Sequence, residues 1–281
     1  MTAKEIRRLD INFRDPNATY RAGDVITGSV NLDLGQEFKV KGIKLYLNGI
    51  ARVQWDEKRA YTKGSSSKLS HKNMDVYLDE SMVIMRKTNG NMAPGRYDWP
   101  FTIRLPPYLP ASFEGQWGQV QYWAKIVLDR PWKGDINFTK NFIVQGAFDL
   151  NTDPEAKNPV DGSGEVMAGT FCCKTGPISG QLSLPRKGYT PGENIPFSAK
   201  IQNDSKKKLS VRVVLAQQVT FRADKEVRRT STLLKGLTKG ELPPRETLQW
   251  DDEIRTIPPV APSQPGGGCH NLQLNYVLTL T

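Results

Sequence analysis

Apolar and polar residues alternate with a period of two along much of this chain. Ile26, Gly28, Val30, Leu32 and Leu34 form one such run, and Ile43, Leu45, Leu47, Gly49, Ala51, Val53 and Trp55 a longer one. Val120, Tyr122, Ala124, Ile126 and Leu128 form a third. Later come Val211, Val213, Leu215, Val219 and Phe221, then Leu272, Leu274, Tyr276, Leu278 and Leu280 at the carboxy-terminal end. Successive side chains of a strand point to opposite faces, so each run predicts a strand with one buried side. No run of similar length repeats at 3.6 residues. The expected fold is all-β.

One phrase occurs twice. Tyr20-Arg-Ala-Gly23-Asp24-Val-Ile26 returns 169 residues later as Tyr189-Thr-Pro-Gly192-Glu193-Asn-Ile195. An aromatic residue, a glycine that permits a tight turn and an acid, leading into an alternating run, is how a turn feeds a half-buried strand. Two copies at a fixed offset predict two units of one architecture, and the offset is far too long for a solenoid. Residues 149–168 mix Pro, Gly, Asn and acids with few apolar positions and form the best boundary. The expected division is a sandwich over 1–150, a linker over 151–168 and a second sandwich over 169–281. Residues 56–74, polar, basic and rich in Ser and Gly, predict a long, mobile hairpin loop.

A chain of 281 residues can bury two ordinary cores. Its formal charge is +10, with 22 basic against 16 acidic residues over 1–150 and 17 against 13 over 151–281. The excess is shared rather than carried on a tail. No zinc finger, RNP-type or helix-turn-helix signature accompanies it, so nucleic acid is not the expected partner. A surface that works against an anionic membrane leaflet or acidic peptides explains the sign equally well, and so does a merely soluble basic surface. No stretch approaches the roughly 20 apolar residues of a membrane span, and MTAKEIRRLDINF has no apolar signal core. The sequons at Asn17, Asn137 and Asn203 are therefore read as chance.

Candidate chemistry is sparse. Cys172, Cys173 and Cys269 are an odd set without metal-ligand spacing, so free thiols in a reducing cytosol are expected and no metal or other cofactor. The two histidines, His71 in the polar loop and His270 beside Cys269, leave little from which to assemble a nucleophile and its base. Asp251, Asp252 and Glu253 read as a solvated acidic turn rather than paired carboxylates. Phosphate-cradling glycine patterns are absent. The chain is not expected to be an enzyme.

One segment is far more specific: Pro100-Phe101-Thr-Ile-Arg-Leu105-Pro106-Pro-Tyr-Leu109-Pro110-Ala-Ser112-Phe113-Glu114-Gly115, then Gly118-Gln-Val120-Gln-Tyr122, ending in Lys125-Ile-Val-Leu128-Asp129-Arg130-Pro131-Trp132. Physically it is an extended, proline-broken connector followed by a new strand. Its wording resembles the arrestin-domain-containing proteins, the α-arrestins. Asp149-Leu150-Asn151, Cys172-Cys173-Lys-Thr-Gly176-Pro177-Ile178-Ser179 and Arg186-Lys187-Gly188-Tyr189-Thr-Pro191-Gly192-Glu193 resemble the second half of that family. Ile201-Gln-Asn203-Asp-Ser205, Ile257-Pro258-Pro259-Val260 and Tyr276 continue the likeness in order.

The resemblance implies two tandem arrestin-like, immunoglobulin-like β-sandwiches. It also implies a cytoplasmic adaptor, peripheral at plasma membrane and endosomes, that binds the cytoplasmic tails of membrane receptors and transporters. Family members recruit HECT-class ubiquitin ligases through PPxY motifs in a carboxy-terminal tail, directing cargo into endocytosis and sorting. No PPxY occurs here: Pro106-Pro107-Tyr108 has its tyrosine one place early. The chain stops at Thr281, where the resemblance implies at least one further strand, so a second sandwich lacking its last strand is expected. The family branch that captures thioredoxin uses a cysteine three residues before a tryptophan. Trp250 puts Thr247 there, so thioredoxin is not an expected partner. The alternative reading is a retromer-like structural subunit of a sorting coat.

By the same resemblance Arg7 and Arg8, before the first strand, are candidates for gripping phosphorylated or acidic tails, a task that suits the arginine fork. The competing reading is a strand edge blunted by charge. Lys125 and Arg130 are further cargo candidates, although an Asp129 salt bridge or packing by Trp132 is the preferred explanation of that motif. Lys206, Lys207 and Lys208, expected to crown a hairpin, are candidates for an anionic membrane. Arg228 and Arg229 are weaker candidates of the same kind.

Overall fold

The computed structural model describes residues 5–60, 66–86, 91–146, 150–170, 173–263 and 268–281. The first half holds β1 (Ile6–Phe13), β2 (Thr19–Arg21), β3 (Val25–Leu34), β4 (Phe38–Lys39), β5 (Gly42–Ala60) and β6 (Ser66–Met85). It continues with β7 (Asn91–Met92), β8 (Gly95–Arg104), β9 (Phe113–Gly115), β10 (Gly118–Asp129) and β11 (Ile136–Gln145). Two short 3-10 turns, Leu150–Thr152 and Pro154–Lys157, lead into the second half. There lie β12 (Val160–Thr170), β13 (Cys173–Leu184), β14 (Ile195–Asn203), β15 (Leu209–Ala223), β16 (Glu226–Leu242), β17 (Thr247–Ile254) and β18 (Leu272–Leu280).

Two compact units form. The first is Met1–Ala147 together with Thr220–Arg228 and Gln264–Gln273; the second is Phe148–Val219, Arg229–Ser263 and Leu274–Thr281. In the first unit a sheet ordered β1-β3-β8 faces one ordered β2-β11-β10-β5-β6. Alternation drives this arrangement: Ile11, Ile26, Val30 and Leu32 from one sheet, and Leu45, Leu47, Val53, Tyr122 and Ile126 from the other, are almost wholly excluded from water. Phe13 meets the rings of both Phe101 and Phe142 edge-on, at 6.5 and 6.0 Å. Each buried aliphatic side chain contributes about 2 kcal/mol, against about 0–1 for an exposed ion pair, so the core and not the charged surface decides the fold.

The second unit pairs a sheet ordered β12-β13-β14-β17 with one ordered β16-β15-β18. Its core gathers Phe197, Ala199, Ile201, Val213, Leu215, Trp250 and Ile254. Phe197 and Trp250 meet edge-on at 5.2 Å. The indole N–H of Trp250 donates to Asp252 Oδ2 at 3.0 Å, which lets a large ring be buried without stranding its donor.

The repeated phrase builds the same turn twice. Gly23 and Gly192 have φ of +85° and +91°, where a side chain is strained. Asp24 accepts from the Arg21 N–H at 2.7 Å, and Glu193 accepts from the Thr190 N–H at 2.7 Å. Leu105 N donates to the Asp24 carbonyl at 2.8 Å, as Ile257 N does to that of Glu193 at 2.9 Å. Leu105 and Ile257 are thus equivalent, although Gly23 N donates to the Pro106 carbonyl at 3.0 Å and Gly192 N to that of Ile257 itself at 2.9 Å.

Several expectations are corrected. Most of residues 56–74 is strand: β5 runs to Ala60 and β6 resumes at Ser66, with pairing that keeps register from Gln54↔Lys72 to Ala60↔Ser66. The expected linker holds the two 3-10 turns and then most of β12, paired to β13 from Val160↔Leu184 onward. Both segments are polar because they lie at sheet edges wetted on more than one side, so composition imitates a loop. Asp251, Asp252 and Glu253 lie in β17, not in a turn. Lys206–Lys208 join strands of opposite sheets, β14 and β15, rather than crowning a hairpin. Trp132 does not pack: it is 98% exposed.

Candidate cargo-binding surface

β1 is an edge strand. Its pairing with β3 slips between Ile6↔Leu34 and Arg8↔Asp33, so Arg7 is the extra residue of a bulge and stands exposed. Beyond the bulge, Leu9, Ile11 and Phe13 turn their side chains inward while Arg8, Asp10 and Asn12 face out. Arg8 Nη2 donates to Asp10 Oδ2 at 2.9 Å. Asp10 Oδ1 accepts from the Ile11 N–H at 2.8 Å. Lys140, from β11, places Nζ 3.6 Å from Asp10 Oδ1 and donates to the Ile11 carbonyl at 2.7 Å.

Burial opposes charging of Asp10. The Arg8 hydrogen bond, the Ile11 N–H and the Lys140 charge outweigh it, and hold this carboxyl below its ordinary range. The backbone of Ile11 therefore faces away from β3, and by the period of two so does that of Leu9 and Phe13. Chemically this edge offers in-plane backbone groups with two arginines and a lysine around them, and Asp10 occupies the place an external carboxylate would take. Lys140 had no sequence signal, since its proximity to Ile11 spans 129 residues.

The Lys206–Lys208 turn is built from beneath by Asn203, which is 0% exposed. Asn203 Nδ2 donates to the carbonyls of Lys207 at 2.8 Å and Pro243 at 2.9 Å. Its Oδ1 accepts from Ser205 Oγ at 2.6 Å. Burial also excludes this sequon from glycosylation. Lys206 and Lys207 point into solvent, whereas Lys208 Nζ is bound to Glu241 at 3.1 Å.

Arg228 is not a free surface cation. Its guanidinium lies 5.3 Å from the Trp55 ring and 5.1 Å from Trp117, and bonds Glu57 Oε1 at 2.9 Å. His71 joins this cluster, stacked on Trp55 at 5.5 Å, with Nε2 3.6 Å from Glu57 and Nδ1 3.7 Å from Asp224. The polar stretch that suggested a loop thus hid a histidine only 5% exposed. Arg229 is exposed. Arg130 is spent locally: Nε donates to the Gly134 carbonyl at 2.9 Å and the group lies 6.0 Å from the Phe38 ring. Lys125 lies on β10, on the side of the sheet away from the core.

Among the described residues no group of His, Cys, Asp and Glu is arranged to hold a metal. Cys269 is buried; its thiol donates to Asn271 Oδ1 at 2.9 Å, and burial pushes its pKa up, away from nucleophilic use. Cys172 lies outside the described residues, and of Cys173 only the strand backbone is described. No described helix is long and apolar enough to cross a membrane.

The family model of the arrestin (or S-antigen) N-terminal domain matches residues 9–151, and that of the C-terminal domain residues 174–281. This chain belongs to the arrestin-domain-containing proteins, the α-arrestins. It is similar to arrestin domain-containing protein 17 of Caenorhabditis elegans, 32% identical over 98% of this chain and 67% of that protein. Similarity extends to arrestin domain-containing protein 4 of Mus musculus, 27% identical over 92% of this chain and 64% of the relative. Thioredoxin-interacting protein of Homo sapiens is 26% identical over 99% of this chain and 70% of its own length. The chain thus spans about two thirds of the length of these curated relatives. Arrestin-domain proteins are non-enzymatic and adaptor-type, and the two sandwiches of this α-arrestin are the two family domains.

Proposed function

We propose that this α-arrestin is a trafficking adaptor. Its β1 edge takes up acidic or phosphorylated stretches from the cytoplasmic parts of membrane receptors or transporters, supporting their ubiquitin-dependent endocytosis and sorting at plasma membrane and endosomes. The observation that carries this reading is the convergence of Arg8 and Lys140 on Asp10 and the Ile11 backbone, with Arg7 exposed beside them. An extended tail adds to such an edge through main-chain hydrogen bonds, and its acids replace Asp10 on the cations. Lys206 and Lys207 add attraction to an anionic leaflet, about 1 kcal/mol each, enough to favour membrane-bound cargo without anchoring the chain alone. Arg229 adds to that attraction, Arg228 does not, and Lys125 serves a separate surface.

Recruitment of HECT-class ligases is part of the same reading, and it requires a PPxY motif that these residues lack. Capture of thioredoxin through a disulfide is not part of it, because Thr247 stands where the sulfur is needed. The test is fluorescence anisotropy of a labelled acidic peptide, with and without phosphoserine. Reversing Arg7 and Arg8 together (R7E/R8E) is expected to weaken binding roughly tenfold or more, with a steep salt dependence. Affinity unchanged by that reversal overturns the reading.

A further inference from the structure

The outward face of the β5–β6–β10–β11 sheet differs in kind from the outward face of the β1–β3–β8 sheet. On the latter, polar groups satisfy one another: Arg8 pairs with Asp10, Arg96 with Asp33 at 3.4 Å, and Asn31 donates to Asp98 at 2.6 Å. On the former, register places Trp123 beside Asn48, Lys125 beside Tyr46, and Gln121 beside Ile50. Ile50 in turn lies beside Val76 and Arg52 beside Met74, and Val76 and Met74 are both well exposed. An apolar line therefore runs obliquely from Trp123 on β10, past Ile50 on β5, to Val76 and Met74 on β6.

The charge on that face is unbalanced. Lys44, Lys125 and Arg52 lie along it, and no ion pair engages any of them among the described residues. In the rows between Lys44 and Arg52 the acid on this side is Asp79, whose carboxylate accepts from Asn48 Nδ2 at 3.3 Å. A stripe of aromatic and aliphatic side chains rimmed by unpaired cations is the complement of an apolar stripe rimmed by acids.

Geometry selects the form of the ligand. β5 and β10 are interior strands whose backbone groups are already paired, so this face offers side chains and no ladder. That favours a helix over an added strand. Neighbouring strands lie about 4.8 Å apart, so two to three of them match the roughly 10–12 Å width of a helix. From Lys44 to Arg52 the strand rises about 27 Å, the length of about 18 helical residues. Trp123 and Tyr46 are half-buried rather than projecting, which suits a packed helix better than insertion into lipid.

We propose that this face docks an acidic amphipathic α-helix of a protein partner, with Trp123 as its anchor and Lys44, Lys125 and Arg52 as its rim. The site is separate from the β1 edge and takes a different ligand, so either can fail without the other.

A display library of 18-residue helices, panned against the intact chain, tests it. Enriched sequences should carry apolar residues at i, i+3, i+4 and i+7 flanked by Asp and Glu. Their affinity should fall roughly tenfold or more with Trp123→Ser and with the double reversal K44E/K125E. The double reversal decides if loss of the indole lowers the melting temperature. Enriched helices that ignore both changes, or that carry basic flanks, overturn the proposal. So does binding to phosphatidylserine vesicles that depends on Trp123, because the occupant is then a membrane. Self-association that depends on Trp123 overturns it as well, since a second copy then covers the face.

Discussion

At the scale of single residues, the account turns on Asp10 and Asn203. Asp10 neutralises Arg8 and Lys140 from within, so Asp10→Asn is expected to tighten binding of an acidic peptide by about threefold to tenfold, the worth of one partly exposed ion pair. Anisotropy reads this directly. The same carboxyl is held below its ordinary range, as are Glu193, bonded by the Thr190 N–H and Arg186, and Asp252, bonded by the Trp250 indole and the Glu253 N–H. A depressed folded-state pKa contributes stability at pH above the unfolded value and loses it as pH falls through the folded value. Melting temperature should therefore hold steady from neutral pH down to about 5 and fall below about 4. Asp252→Asn should flatten part of that fall. Asn203 is different in kind: it is fully buried and holds the Lys206–Lys208 turn through the carbonyls of Lys207 and Pro243. Asn203→Ala strands those carbonyls and should cost about 2–4 kcal/mol by denaturant unfolding, far more than Lys206→Ala beside it.

At the scale of elements, the twin turns at Gly23 and Gly192 share their positive φ, their acid-to-backbone bond and the bond from Leu105 or Ile257, and differ by one residue in the carbonyl that the glycine N–H reaches. Gly23→Ala and Gly192→Ala should each cost about 1–2 kcal/mol through the positive φ they share, and similar shifts in chemical denaturation check the equivalence. Strands with one buried side were legible: β3, β10 and β15 fall where Ile26–Leu34, Val120–Leu128 and Val211–Phe221 alternate. Edge strands were not. β12 is exposed from Val160 to Met167, and β16 packs Leu234, Leu237 and Leu242 against the core at irregular spacing, so neither shows a clean period of two. The surface shows the same division. Arg7 and Arg8 were legible through resemblance, but Lys140 and the placement of Trp123 beside Asn48, diagonal to Tyr46 and Ile50, depend on register between distant strands. Arg228, read as a surface cation, is held between two indoles. Arg228→Ala should lower stability by about 2 kcal/mol and change the fluorescence of Trp55 and Trp117.

At the scale of the whole molecule, a chain of net charge +10 sets cations at the β1 edge, lysines on a pinned turn and unpaired cations along the rim of a sheet face. None of these does chemistry. Each offers attraction of modest strength, and an adaptor gains affinity by engaging several at once. Binding to acidic ligands should accordingly weaken steeply between low and physiological salt, whereas thermal stability, which rests on the two apolar cores, should change little. The central claim is that acidic tails add along β1. Hydrogen exchange of the intact chain, with and without a saturating acidic phosphopeptide, tests it most directly. The account predicts new protection at the edge-facing amides of Leu9, Ile11 and Phe13, lost in R7E/R8E. Protection that appears elsewhere and leaves those three amides unchanged would contradict it.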